Sequence, residues 1–240
     1  MYQVFFLFFN PAVGGTFLGT LILVFRCYLL KKIQNSGEVK ILELNIKKPI
    51  KRHNRRFWAF KSTAGRSKTF KDAFYGEIGQ HEIADHAAVL RGISKSRPYM
   101  DMKRVGVFGH SWGGYFALRA MLQRPGLYKV GVVSSGDADL KNFRVPIEPF
   151  MGCTPVDCPK AYALGSNTKI MDRLKGKLLI MHGTADEDVP FGESVKMIEA
   201  LKKAGKMYNY VIFPESNHTI YQDPYWFNRM SEFFNDYLKE

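Results

Sequence analysis

Cysteine is scarce in this chain: Cys27, Cys153 and Cys158 are the three present in 240 residues. So few exclude a small disulfide-framed scaffold and leave the redox compartment open, although Cys153 and Cys158 share one loop and could close a bridge. Neither a CxxC pair nor a paired-histidine motif occurs, so no metal is expected. His81 and His86 stand five apart and do not share a helical face as two ligands would. No internal repeat or low-complexity tract is present. Acidic residues are also few, 22 against 35 Lys and Arg, for a formal charge of +13.

That excess invites a nucleic-acid or acidic-membrane partner, so its distribution decides. Much of it is local: Lys47, Lys48, Lys51, Arg52, Arg55 and Arg56, followed by Lys61, Arg66, Lys68 and Lys71. No aromatic pattern of an RNA-binding sheet is interleaved with it. A solvated basic face is the expected reading, with no nucleic-acid partner. A basic flank beside a membrane segment is the rival.

Long apolar runs are limited to one. Val4 to Phe25 is almost wholly apolar and about as long as a bilayer core requires. Asn10-Pro11, Gly14-Gly15 and Gly19 weaken a helix there, and no basic region precedes it as in a secretory signal. Two expectations stand: a membrane anchor, with Lys31 and Lys32 keeping the rest cytoplasmic, or a buried strand or helix of an incomplete domain. Without an anchor, a soluble protein is expected.

The rest is 46% hydrophobic overall and long enough for one domain with a sizeable core. Val39 to Ile46 and Phe57 to Phe60 suggest strands. A helix is expected from His81 to Ser94, with Ile83, Ala87 and Leu90 on one face. Short apolar strands follow at Val105–Phe108, Val130–Val133, Leu178–Met181 and Tyr208–Phe213. Between them come a helix through Tyr115, Leu118 and Leu122, and one with Phe191, Val195, Ile198 and Leu201 at helical spacing. Asp137 to Arg173 reads as loops and short helices broken by prolines, and a last helix carries Trp226, Met230, Phe233, Phe234, Tyr237 and Leu238. Continuous apolar strands alternating with helices imply an α/β fold, a mostly parallel sheet with helices on both faces. The chain divides into residues 1–56, an apolar segment and basic linker, and residues 57–240, the α/β domain.

One pentapeptide carries chemistry. Gly109-His110-Ser111-Trp112-Gly113 fits G-x-S-x-G, with a strand running in and a helix running out. A serine on so sharp a turn is strained, and glycine on either side lets strand and helix approach. The Trp112 N–H then falls at a helix N-terminus, where an oxyanion would form. A serine hydroxyl needs a base held by an acid, in the chain order Ser, Asp or Glu, His. Asp186 follows the Leu178–Met181 strand and His218 follows the Tyr208–Phe213 strand. Asp188 is an alternative acid, and Asp137 and Asp139 are weaker ones. His53, His81, His86, His110 and His182 lie outside the last strand-to-helix loop and read as surface or structural residues.

With these residues in hand, the chain resembles the prolyl oligopeptidase family of serine peptidases, in its dipeptidyl-peptidase IV branch. The likeness is carried by Ser62-Thr63-Ala64-Gly65-Arg66, Phe70 to Gly76, Gly109 to Tyr115, Glu148-Pro149-Phe150-Met151-Gly152, and His182 to Val189. It runs from about Phe57 to the C-terminus. The resemblance implies an α/β-hydrolase fold, a triad of Ser111, Asp186 and His218, and no cofactor. It implies Trp112 as a backbone oxyanion donor. It also implies a small apolar pocket of Trp112, Phe150 and Val189, suited to proline or alanine. Where the branch has a substrate-contacting asparagine, this chain has Asp188.

The chain has no room for the family's β-propeller, and residues 1–56 show no match to the loop whose tyrosine serves as second oxyanion donor. The first strands of the sheet are therefore expected to be missing or replaced. The expected function is peptide-bond cleavage through an acyl-enzyme. An esterase with the same triad and a truncated, non-catalytic domain are the alternatives.

Overall fold

The computed structural model describes residues 2–8, 75–97, 100–142 and 147–238, the first of these segments as backbone only. Five strands form one sheet in the order β1-β2-β3-β4-β5, every neighbouring pair parallel. They are β1 (Tyr2–Phe8), β2 (Met100–His110), β3 (Tyr128–Ser134), β4 (Lys177–Gly183) and β5 (Asn209–Phe213). The helices are α1 (Glu82–Ser94), α2 (Trp112–Gln123), α3 (Glu148–Met151), α4 (Pro159–Gly165), α5 (Gly192–Lys203) and α6 (Pro224–Leu238).

Strand alternation divides the core in two. Leu178 and Ile180 of β4 face one side, with Val105, Val107 and Val133. There they meet Ile83 and Leu90 of α1, Leu118 and Met121 of α2, and Met197 and Leu201 of α5. Leu179 and Met181 face the other side, with Phe108, Val130 and Val132. That side is closed by Trp226, Met230, Phe233, Phe234 and Leu238 of α6. Period two along the strands therefore serves both layers at once, and the strands read as continuous apolar runs for that reason.

Gly106 lies under α6, where an added Cβ would come within 2.6 Å of the Phe234 ring. A third, smaller cluster gathers Ile78, Tyr115, Leu140, Ile147, Met151 and Tyr162 beside α2. Near it, Cys153 and Cys158 form the disulfide that their shared loop made available.

The expected helices and strands from His81 onward are present, with one correction of facing. The spacing of Phe191, Val195, Ile198 and Leu201 predicts one apolar stripe. Instead α5 begins at Gly192 and buries Ser194, Met197 and Leu201, while Val195 is half exposed. Leu201 is buried and Ile198 packs against the core as the spacing implies, and the place beside Val195 is taken by Ser194, whose Oγ lies 2.6 Å from His182 Nδ1.

At the other end of the chain, Tyr2–Phe8 pairs with β2 from Tyr2↔Met100 to Phe8↔Gly109, as the strand beside it. The remainder of the apolar run to Phe25, the basic stretch, and the expected strands at Val39–Ile46 and Phe57–Phe60 lie outside the described residues. Among the described residues no helix is long and apolar enough to cross a membrane.

Candidate active site

Ser111 sits between the end of β2 and the start of α2, with φ 59° and ψ −125°. An L-residue in that region is strained, at a cost of order 1–3 kcal/mol. Hydrogen bonds hold it there: its N–H donates to the Ser134 carbonyl at 2.8 Å, continuing the sheet, and its carbonyl accepts from the Gly114 N–H at 2.8 Å. The turn is tight enough to demand glycine. A Cβ on Gly109 would lie 2.0 Å from the Gly113 carbonyl oxygen, and one on Gly114 would lie 2.8 Å from the Gly136 Cα. Gly109 fulfils the steric reading of the motif. Gly136, from the loop after β3, is a partner that the motif alone does not reveal.

Asp186 and His218 come together from the ends of β4 and β5. His218 Nδ1 lies 2.8 Å from Asp186 Oδ2 and 3.0 Å from Oδ1. Asp186 Oδ1 also accepts the backbone N–H groups of Asp188 at 3.0 Å and Val189 at 2.9 Å. Asp188 thus reaches the site through its backbone, and Asp186 is the carboxylate paired with His218.

His182 supplies a further contact, its Nε2 lying 3.3 Å from Asp186 Oδ2 and 2.9 Å from the Val189 carbonyl oxygen. Both of those atoms accept, so Nε2 carries the proton, and Ser194 completes the ring at Nδ1. Burial by itself would raise the Asp186 pKa. The hydrogen bonds from His182, His218 and the Val189 N–H outweigh it and hold the carboxyl well below the usual range.

Two histidines that the sequence assigned to surface or structural positions therefore belong to the site. His182 is fully buried against Asp186. The His110 ring centroid lies 4.6 Å from that of His218. Their signal was positional, since His110 adjoins Ser111 and His182 opens the stretch that ends at Asp186. Asp137, after β3, is buried beside Glu193 and Asp186, and burial with those two charges pushes its pKa up to about 8.

The expected pocket residues stand in different surroundings. Trp112 stacks on Tyr115 at 5.6 Å and meets Phe116 edge-on at 5.5 Å. Val189 is buried in the loop after β4, its N–H bonded to Asp186. Phe150, on α3, is 40% exposed. A cavity of about 550 Å³ lies elsewhere, bounded by Asp139, Thr168, Lys196 and Glu199, and its lining includes neither Ser111, Asp186 nor His218.

A parallel sheet covered on both faces, with a serine projecting from the turn between β2 and α2, defines an α/β-hydrolase fold. The chain belongs to the prolyl oligopeptidase family, whose profile matches residues 59–240. It is 32% identical over 160 residues to dipeptidyl peptidase 8 of Homo sapiens, covering 65% of this chain and 18% of that protein. It is also 32% identical over 167 residues to the inactive dipeptidyl peptidase 10 of Mus musculus, covering 68% and 21% respectively. Porphyromonas gingivalis dipeptidyl peptidase 4 shares the fold with a TM-score of 0.68 and 29% identity, over 74% of this chain and 26% of that one. The chain thus spans about a fifth of the length of these curated relatives.

Proposed function

We propose that residues 57–240 form the catalytic unit of a serine peptidase in which Ser111 is the nucleophile, His218 the base and Asp186 the acid that orients it. The pairing of Asp186 with His218, at the same sheet edge as the strained Ser111, carries this reading. Dipeptidyl peptidase 10, a relative named as inactive, is as similar to this chain as dipeptidyl peptidase 8, so likeness alone does not supply activity. What supports activity is this chain's own set of three residues.

In this mechanism Asp186 accepts the Nδ1 proton of His218 as a hydrogen bond, which leaves Nε2 to take the proton of Ser111. The serine oxygen attacks the scissile carbonyl carbon, and the Trp112 N–H at the start of α2 stabilises the resulting oxyanion. Collapse breaks the C–N bond, His218 returns the proton to the leaving amine, and an acyl-serine remains. Water, deprotonated by His218, then releases the acid and restores the serine. By likeness to the family, Trp112, Phe150 and Val189 are assigned to a small apolar subsite for a residue such as proline or alanine, with Asp188 where the dipeptidyl-peptidase branch has a substrate-contacting asparagine.

Labelling with a fluorophosphonate, which reacts with activated serines, tests the proposal. The parent is expected to label and Ser111→Ala and His218→Ala are not. A folded parent that does not label would make a truncated, non-catalytic hydrolase domain the better account. In a labelled protein, matched peptide and ester substrates with proline or alanine before the scissile bond separate a peptidase from an esterase.

A further inference from the structure

His110 occupies an unusual place: it immediately precedes Ser111 in the chain, yet its side chain packs against His218 of the loop after β5. The two rings are tilted at 46° with centroids 4.6 Å apart. His110 also meets Tyr221 edge-on at 4.9 Å, so the ring contacts two residues of the segment that carries His218.

Its Nδ1 is held by a buried pair of residues. Trp226 of α6, whose indole N–H can only donate, donates to Ser134 Oγ at 2.8 Å. Ser134 is fully buried, and its hydroxyl proton has His110 Nδ1 as its acceptor at 2.9 Å. The His110 proton therefore resides on Nε2, a buried atom that meets no side-chain acceptor and faces the backbone of His218. Burial, and next the neighbouring His218, push the His110 pKa well below its ordinary value.

We propose that His110 is a positioning residue for His218: its ring, with the tautomer locked by Ser134 and Trp226, is the wall that holds the His218 imidazole on Asp186. The inference rests on the assignment of His218 as base. The physical reason is geometric. A hydrogen bond from Nδ1 to Asp186 restrains one edge of the His218 ring but leaves rotation about that contact. A neighbouring ring with its centroid 4.6 Å away, inclined at 46°, restricts it. A ring presented by the residue before the nucleophile also ties the position of the base to the turn that positions the serine.

The test compares His110→Ala, His110→Phe, Ser134→Ala and His218→Ala with the parent. Two readouts are used: the second-order rate of fluorophosphonate labelling, and the low-field proton resonance of the His218 Nδ1–H bound to Asp186. His110→Ala is expected to slow labelling about tenfold or more and to broaden the resonance, since a small misplacement of a reacting group is costly. His110→Phe, which restores a flat ring, is expected to recover labelling to within about threefold and to sharpen the signal. Ser134→Ala, which frees the tautomer and keeps the ring, is expected to fall between them. Should His110→Ala not fold, His110→Leu replaces it, with volume kept and the flat face lost.

Native-rate labelling and a sharp resonance in the Ala or Leu variant would overturn the proposal. So would a Phe variant as slow as the Ala variant. A parent that does not label, or that labels equally after His218→Ala, overturns the triad instead, and the resonance still decides the role of His110.

Discussion

Replacing Arg119 by Met tests what fastens the helix behind Ser111. Arg119 lies on α2 and is 2% exposed. Its Nε donates to the Gly79 carbonyl at 2.9 Å, and its Nη1 to the Ser166 carbonyl at 3.1 Å and Asn167 Oδ1 at 3.4 Å. Nη2 donates to the Leu164 carbonyl. One guanidinium thus joins α2 to the Gly79 turn and to the segment after α4.

Not all of these acceptors would be orphaned. The Gly79 carbonyl also receives Gln123 Nε2 at 2.7 Å, and the Leu164 carbonyl receives Gln80 Nε2 at 2.7 Å. The Ser166 carbonyl and Asn167 Oδ1 lose the donor described here. At about 1–3 kcal/mol for each of these two buried acceptors left unpaired, and with Met keeping the apolar stem, the loss is about 2–6 kcal/mol. For a domain of this size, at about 2–4 °C per kcal/mol, that lowers the melting temperature by roughly 4–24 °C.

Circular dichroism melts and guanidinium titrations with matched slopes would measure it. Arg119→Lys keeps the charge but cannot span these acceptors, so an intermediate loss is expected. Burial lowers the Arg119 pKa, which marks the opposing cost of desolvating the cation. An unchanged or raised melting temperature in Arg119→Met would mean that relief of this cost outweighs the lost bonds, and would refute the reasoning.

Three further outcomes are expected. Asp137 has its folded pKa raised to about 8, so between its unfolded pKa and pH 8 the unfolded state releases a proton that the native state retains. Stability therefore falls as pH rises through that window, by at most about 1.4 kcal/mol per pH unit, and Asp137→Asn should gain on the parent from pH 4 to pH 8 in melts across that range. Ser111→Gly should abolish labelling yet raise stability by about 1 kcal/mol in denaturant titrations, because it relieves the positive φ. Asp186→Asn should slow labelling by roughly 10³-fold or more, since the amide no longer fixes the His218 tautomer.

Much of this protein was legible in its sequence because the information is local. Continuous apolar strands such as Leu178–Met181 announce a sheet buried on both faces, and the expected strands and helices from His81 onward are present. Gly109 and Ser111 mark the turn between β2 and α2 because its tightness is a property of adjacent residues. Chain order then pointed to Asp186 and His218. Three things were decided only in tertiary structure. Which side chains α5 buries was one, since Ser194 meets His182 and is buried beside Val195, which the apolar spacing had placed inside. The choice of Asp186 over Asp188 depended on which carboxylate the loop after β4 turns toward His218, and two residues of spacing do not encode that direction. His110 and His182 looked like ordinary structural histidines, because their roles arise from partners on other strands and helices. The sequence determined the elements and the chemistry available at the sheet edge. Folding decided the contacts between distant residues, because hydrogen bonds and ring packing depend on separations in space that a linear pattern does not record.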